Sequence, residues 1–249
     1  MNDQLPKAIL LDMDDTILAY DQGVDTDGCW RKSIQDHLAG ENNVNPEDLL
    51  LRIKERASWH WSDPERHRVG RLDLYKARQE IIGAALMKFN IDDQALAGNI
   101  ARTYGEERDK AVSLFPNAIE TIRDLRSRGL KLALLTNGNA KPQWEKIRKF
   151  GLAPFFDCIL VEGEFGIGKP DERIYFHAVK ALDVRPEDTW MVGDNYQWEI
   201  VAPQRIGIKG IWIDHKGQGI PSKAEDQPYR IIRALPELTS ILKEIPECD

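Results

Sequence analysis

The stretch Ala8-Ile-Leu-Leu-Asp-Met-Asp-Asp-Thr16 passes abruptly from an apolar run to a cluster of carboxylates. A run this short and this apolar suits a strand buried on both faces, as in the interior of a parallel sheet. Side chains alternate along an extended chain, so Asp12 and Asp14 share a face while Met13 and Asp15 point away. Two carboxylates so close repel unless a cation or a proton intervenes. Taken alone, a pair of this kind is common enough that a polar turn after a strand is the default reading.

The same transition recurs down the chain. Lys131-Leu-Ala-Leu-Leu-Thr136, Phe156-Asp-Cys-Ile-Leu-Val161, Thr189-Trp-Met-Val-Gly193 and Lys209-Gly-Ile-Trp-Ile213 read as further strands. Amphipathic segments at 117–128, 142–150, 172–182 and 197–206 read as the helices between them. Strand alternating with helix predicts an α/β fold whose parallel sheet is covered on both sides. Gly129 and Gly151 fall where helix C-caps are expected. From 20 to 110 the rhythm changes to helical patterns alone, at 29–38, 46–61, 72–89 and 94–108. The predicted organisation is therefore a core of residues 1–19 and 111–249, with a helical module, residues 20–110, inserted after the first strand.

Composition narrows the role. The 249 residues are 42% hydrophobic and 30% charged, enough apolar material for a real core. A formal net charge of -7 argues against a general nucleic-acid partner. Residues 1–7 are too polar for a signal peptide, and no apolar run approaches the roughly 18 residues of a membrane helix. Cys29, Cys158 and Cys248 are far apart with no C-x-x-C pair, which predicts neither a disulfide framework nor a zinc site. A cytoplasmic protein with no membrane partner, monomeric or homodimeric, is the expectation.

Gly163-Glu-Phe-Gly-Ile-Gly-Lys-Pro170 matches a nucleotide-binding P-loop up to its last residue. That motif requires a Ser or Thr hydroxyl after the lysine, for the metal. Pro170 offers neither hydroxyl nor N–H, which argues against a nucleotide site and leaves Lys169 as a lysine at a turn. In open α/β sheets, ligands bind outside the carboxyl ends of the strands. Thr136-Asn137-Gly138, Lys169 and Gly193-Asp194-Asn195 all follow predicted strands, as Asp12 and Asp14 do. Each has an ordinary alternative: a turn capped by Asn139, a solvated lysine, a helix cap at Asp194 or Asn195. Their convergence at matching strand ends is the stronger reading.

Together they solve one chemical problem, the attack of a carboxylate on a phosphate monoester. A divalent cation bridging Asp12, Asp194 and a phosphate oxygen would remove the repulsion between nucleophile and substrate. Lys169 would neutralise further phosphoryl charge, and Thr136, Asn137 and nearby N–H groups would hold the equatorial oxygens. Asp14 would protonate the leaving alcohol and then take a proton from the hydrolytic water. Hard oxygen donors of this kind favour Mg²⁺.

The ordered set D-M-D-D-T, L-L-T-N-G, G-K-P and V-G-D-N resembles the haloacid dehalogenase superfamily, in its subfamily with a helical cap after the first strand. The resemblance covers nearly the whole chain. It implies a Rossmann-like core with the cap closing over the site and a small phosphorylated metabolite as substrate. It also implies Asp12 as nucleophile, Asp14 as general acid/base and, through its carbonyl, metal ligand, Thr136 and Lys169 on the phosphate, and Asp194 on the metal. Two positions depart from the pattern. Glu199 stands where relatives usually carry a second Asp, so an indirect role beside Asn195, on a metal-bound water or Lys169, is expected. Asp15 stands where many have Gly, and local turn bonding is its expected role. Name-giving dehalogenases lack the acid and the metal, so Asp14 and Asp194 favour a phosphatase. A mutase needs the same residues, and a catalytically weak binding protein keeps only the fold.

In the insertion, Trp59-His-Trp-Ser-Asp-Pro-Glu-Arg-His-Arg-Val-Gly-Arg71 mixes rings with cations. Trp59 and Trp61 are candidates for stacking on a substrate, and Arg66, His67, Arg68 and Arg71 for a second anionic group. The alternative is that the rings pack between helices beneath a solvated charged face.

Overall fold

The computed structural model describes residues 4–38, 44–222, 224 and 226–245. Cys248 and the first three residues of the segment read against a signal peptide lie outside them. Two compact units result, one of residues 1–22 with 113–249, the other of residues 23–112. These boundaries fall two to three residues beyond those read from the sequence.

The strands are β1 (Ala8–Leu11), β2 (Leu18–Ala19), β3 (Ser113–Leu114), β4 (Lys131–Thr136), β5 (Cys158–Val161), β6 (Thr189–Gly193), β7 (Lys209–Ile213) and β8 (Arg230–Ile232). Six of them form one sheet in the order β5-β4-β1-β6-β7-β8. Every pairing in it is parallel, as the alternation of strand and helix predicts. The two short strands β2 and β3 pair separately and antiparallel.

Why β1 sits at the centre follows from its sequence. Ala8, Ile9, Leu10 and Leu11 are all fully buried, which only an interior strand with both faces covered allows. Ala8 and Leu10 face one core, where Ala133, Leu135, Leu160 and Met191 meet Ile174, Tyr175, Ala178 and Val179 of the Glu172–Ala181 helix. Each Leu, Ile, Val or Met among them contributes about 1.5–3 kcal/mol relative to exposure. The chain leaves β1 toward β4 and β5 and returns to its other side at β6, so the strand order reverses at β1. Ligands of open α/β sheets bind outside the carboxyl ends of the strands at such a reversal, and Asp12, Thr136 and Asp194 stand at those ends of β1, β4 and β6.

The segment expected as a helix at 197–206 begins instead as a π-helical turn, Tyr196–Val201, followed by Ala202–Gln204. Pro203 has no N–H for the carbonyl of Glu199, so the regular ladder cannot run through it. The Glu199 carbonyl packs on β7, where a Cβ at Gly210 would come within 2.8 Å of it.

The second unit is helical: Thr26–His37, Pro46–Trp61, Pro64–Gly70, Leu74–Leu86 and Gln94–Ala111. Asp25, Asn45, Asp63, Asp73 and Asp93 cap them in turn, each accepting an N–H of the first turn. The long 46–61 pattern ends at Ser62-Asp63-Pro64, because Pro at a helix start favours a new helix. Trp30 and Tyr104 stack at 3.5 Å between ring centroids inside its own core.

Candidate active site

Asp12 is held at the carboxyl end of β1 by its N–H, which donates to the Val192 carbonyl at 3.0 Å. Its Oδ1 accepts from Lys169 Nζ at 2.5 Å, and the same ammonium donates to Glu199 Oε1 at 2.7 Å. Lys169 has no solvent exposure. Burial works against its charge, yet the Asp12 and Glu199 carboxylates outweigh that and raise its pKa. The lysine therefore stays an ammonium.

Asn137 explains how a lysine after a loop reaches so fixed a place. Its amide nitrogen donates to the Lys169 carbonyl at 2.8 Å, and its oxygen accepts the Lys169 N–H at 2.8 Å. The side chain expected on the phosphate thus ties the loop after β5 to the end of β4. Glu162 adds a second tie, accepting the Gly138 N–H at 2.8 Å.

Burial pushes the carboxyl groups up, and their mutual repulsion adds to it. Asp194 rises to about 9, chiefly through burial and then through Asp12 and Glu199. Glu199 rises to about 7 through burial, opposed by Lys169. Asp12 is raised by burial more than Lys169 lowers it. Glu199 Oε2 is buried without a partner. A Cβ at Gly193 would lie 2.2 Å from Glu199 Cγ and 3.0 Å from Asp12 Cβ, so only glycine lets the two approach. Asn195 is a helix cap, its side-chain oxygen accepting from Gln197 and Trp198 N–H groups at 3.1 and 3.2 Å.

Asp14 turns toward the Ala140–Lys149 helix. Lys146 Nζ donates to its two oxygens at 2.6 and 2.5 Å, and Gln143 Nε2 reaches Oδ2 at 3.0 Å. Gln143 also donates to the Thr136 hydroxyl oxygen at 2.6 Å. Neither residue stands out in the sequence, where the helix reads as an ordinary amphipathic one. The available signal was their spacing of one turn on the face that Ile147 buries. Asp15 carries a φ of 59°, in the left-handed region that favours Gly. Its carboxylate accepts the N–H groups of Tyr20, Asp21 and Gln22 at 2.7–2.9 Å. That is the local turn bonding expected of it.

The donor set suits a divalent cation. The carboxylates Asp12, Asp14, Asp194 and Glu199 face two ammonium groups, Lys169 and Lys146; burial first, and then mutual repulsion, raises Asp12, Asp194 and Glu199. Among the described residues no group of three or more His, Cys, Asp or Glu side chains is arranged to hold a metal ion by itself. Mg²⁺ is usually held by one or two carboxylates with several waters retained, and Asp12 and Asp194 are carboxylates of the hard-oxygen kind it takes.

The insertion residues gather within their own unit. Arg56 and Arg66 place their guanidinium groups over Trp59 at 3.6 and 3.8 Å from the ring centroid. Arg66 also donates to the carbonyls of Trp59 and His60, at 2.8 and 3.3 Å. Arg68 is paired with Glu65, Arg71 reaches His67 at 3.4 Å, and Trp61 meets His60 and His67 edge-on. Trp59 stays 46% exposed, beside an open cavity of about 390 Å³ lined also by His60, Lys76 and Glu80.

A parallel sheet reversing at a strand that ends in a carboxylate, with a buried lysine and a second acid beside it, defines a hydrolase core. Residues 6–207 match the haloacid dehalogenase-like hydrolases, and the chain belongs to that family. It is 38% identical to the phosphoserine phosphatase of Thermus thermophilus, over 84% of this chain and 88% of that protein. It is 26% identical to the glyceraldehyde 3-phosphate phosphatase of Methanocaldococcus jannaschii, over 96% of this chain and 98% of the relative. Among solved structures, the HAD-hydrolase YfnB of Bacillus subtilis, bound to magnesium, shares the fold with a TM-score of 0.72. Its identity is 22%, over 96% of this chain and 99% of YfnB. Among the described residues no helix is long and apolar enough to cross a membrane.

Proposed function

We propose that this chain is a Mg²⁺-dependent phosphatase that hydrolyses small phosphate monoesters through an aspartyl-phosphate on Asp12. The observation that carries the reading is the division of labour between two neighbouring carboxyl groups. Asp12 is buried against a permanently charged lysine, whereas Asp14 is half-buried and turned toward a different helix. An Asp12 oxygen attacks phosphorus as the bond to the ester oxygen breaks, and the Asp14 proton goes to that oxygen. Water then attacks the phosphoryl group, its proton passes to Asp14, and the Asp12 carboxylate is released with inorganic phosphate.

Lys169 offsets phosphoryl charge, and Thr136 donates to an equatorial oxygen. Bound by Asp12, Asp194 and the Asp14 carbonyl, Mg²⁺ would screen nucleophile from substrate. Halide release needs no proton donor, so Asp14 would be idle in a dehalogenase. The phosphatase relatives support the same choice. Phosphoserine and glyceraldehyde 3-phosphate are the first substrates to try. The unpaired Cys29 and Cys158 fit a reducing compartment, and we place the enzyme in the cytoplasm.

The test is a panel of phosphate monoesters with Mg²⁺ and with excess chelator, followed by rapid-quench mass spectrometry. The expected result is metal-dependent phosphate release and a phosphoryl group on Asp12. Full turnover in chelator, or phosphorylation elsewhere, overturns the reading.

A further inference from the structure

The Ala140–Lys149 helix places two polar side chains against the site, one turn apart. Gln143 Nε2 lies 2.6 Å from Thr136 Oγ1, 2.7 Å from the Asn137 carbonyl and 3.0 Å from Asp14 Oδ2. A carbonyl and a carboxylate can only accept, so they fix which end of the amide faces inward. The two Nε2 hydrogens are shared among the three acceptors, and because an amide nitrogen does not accept, the Thr136 hydroxyl proton is left to point elsewhere. Lys146 straddles both Asp14 oxygens, and its Nζ sits 4.5 Å from the centre of the Tyr20 ring. Ordinary surface pairs of this chain look different. The Lys32–Asp36 side chains are 55% and 39% exposed, against 12% and 24% for Lys146 and Asp14.

We infer that Gln143 and Lys146 are positioning residues for this reaction. Lys146 would hold the Asp14 carboxyl group where it meets the leaving oxygen, and Gln143 would turn the Thr136 hydroxyl proton toward the phosphoryl group. The inference rests on the reading of Asp14 as acid and base. A group that gives a proton and then takes one must occupy the same place twice in each cycle. Two bonds from Lys146 and one from Gln143, all from one helix, provide that constancy. The same amide ties the acid to the phosphate donor, so proton delivery and phosphate grip share one support.

The experiment compares the rate of Asp12 phosphorylation from an alkyl phosphate and from a dinitrophenyl phosphate, whose phenolate leaves without a proton. Lys146→Met should lower the alkyl rate about 10–100-fold, the usual range for a supporting residue, and the dinitrophenyl rate by no more than about 2-fold. Lys146→Arg should recover much of the loss. In an Asp14→Asn background, Lys146→Met should add nothing further, because the lysine acts through Asp14. Gln143→Leu should weaken inhibition by inorganic phosphate about 10-fold, the size of one hydrogen bond.

Equal losses on both esters, or a full additional loss on top of Asp14→Asn, overturn the role of Lys146. Unchanged phosphate inhibition overturns that of Gln143. If Asp14→Asn alone shows no dependence on the leaving group, the assignment of Asp14 as acid falls instead, which is a separate outcome.

Discussion

Lys169 Nζ lies midway along a buried chain of charge, 2.5 Å from Asp12 and 2.7 Å from Glu199. One ammonium thus steadies both the expected nucleophile and a second buried carboxylate. Removing either partner of a buried pair leaves an uncompensated charge, and that governs what substitutions here should do.

Lys169→Met should reduce kcat/KM by about 10²–10³-fold, the loss typical of one group that stabilises transition-state charge. It should also destabilise the fold more at pH 8 than at pH 5, because Asp12 and Glu199 can shed their charge only by taking up protons. Steady-state kinetics and thermal melts at both pH values check this. A variant with wild-type turnover removes Lys169 from the site.

Glu199→Gln keeps the shape but loses the charge facing Lys169, and should slow turnover by about 10–100-fold. Glu199→Asp keeps the charge but retracts it by a methylene from a 2.7 Å contact, and should retain more activity than Gln. Rates and apparent Mg²⁺ affinity of the two variants decide between charge and reach. Equality of Gln with wild type would return Glu199 to a purely packing role.

Without metal, the protein should lose stability as pH rises from about 4 to 9. Asp194 is pushed up from 3.8 to about 9 and Glu199 from 4.5 to about 7, so over that window the folded state holds protons the unfolded chain has released. Stability then falls with pH, since it rises only where the unfolded state binds more protons. Below both unfolded values the contribution is complete, and above about 9 it is gone. Melting of chelator-treated protein at pH 5, 7 and 9 measures the slope, and Asp194→Asn should flatten it. Added Mg²⁺ should stabilise more at pH 9 than at pH 5, because it binds the ionised carboxylates.

Gly193→Ala should cost about 1–3 kcal/mol, the range for overpacking, and most of the activity. The new methyl would fall 2.2 Å from Glu199 Cγ and 3.0 Å from Asp12 Cβ, where neither side chain can give way without leaving Lys169. Thermal unfolding together with kcat provides the check. A stable and active Gly193→Ala enzyme contradicts the close approach.

What could be read before the fold was known depended on how each residue announces itself. β1, β4 and β6 are apolar runs ending in polar clusters, and that contrast survives in one dimension. The strand β8, Arg230-Ile-Ile232, is three residues long with a charged start, and carries too little pattern to be found. Asp12, Asp14, Lys169 and Asp194 were legible because an ordered set of short motifs contains them. Gln143 and Lys146 were not, since the face a helix turns to a distant loop is set by tertiary packing. Asn137 was legible as a site residue, yet its pairing with the Lys169 backbone depends on which loop β5 delivers beside β4.

The bond between Asp12 and Lys169 joins residues 157 apart in the sequence. On a ribosome adding about 5–20 residues per second, the acid is synthesised roughly 8–30 s before its lysine. Throughout that interval β1 must wait for β6, its neighbour on one side, while β4 reaches it earlier on the other. Asp14 gains its counter-charge with Lys146, soon after β4, whereas Asp12 gains its own only once the loop after β5 is in place. Contacts of such long range form late and slow the folding of parallel sheets. The candidate site is, by its construction, a record of folding order: a chain arrested between Lys146 and Lys169 already carries the counter-charge of Asp14 but lacks the ammonium that pairs with Asp12.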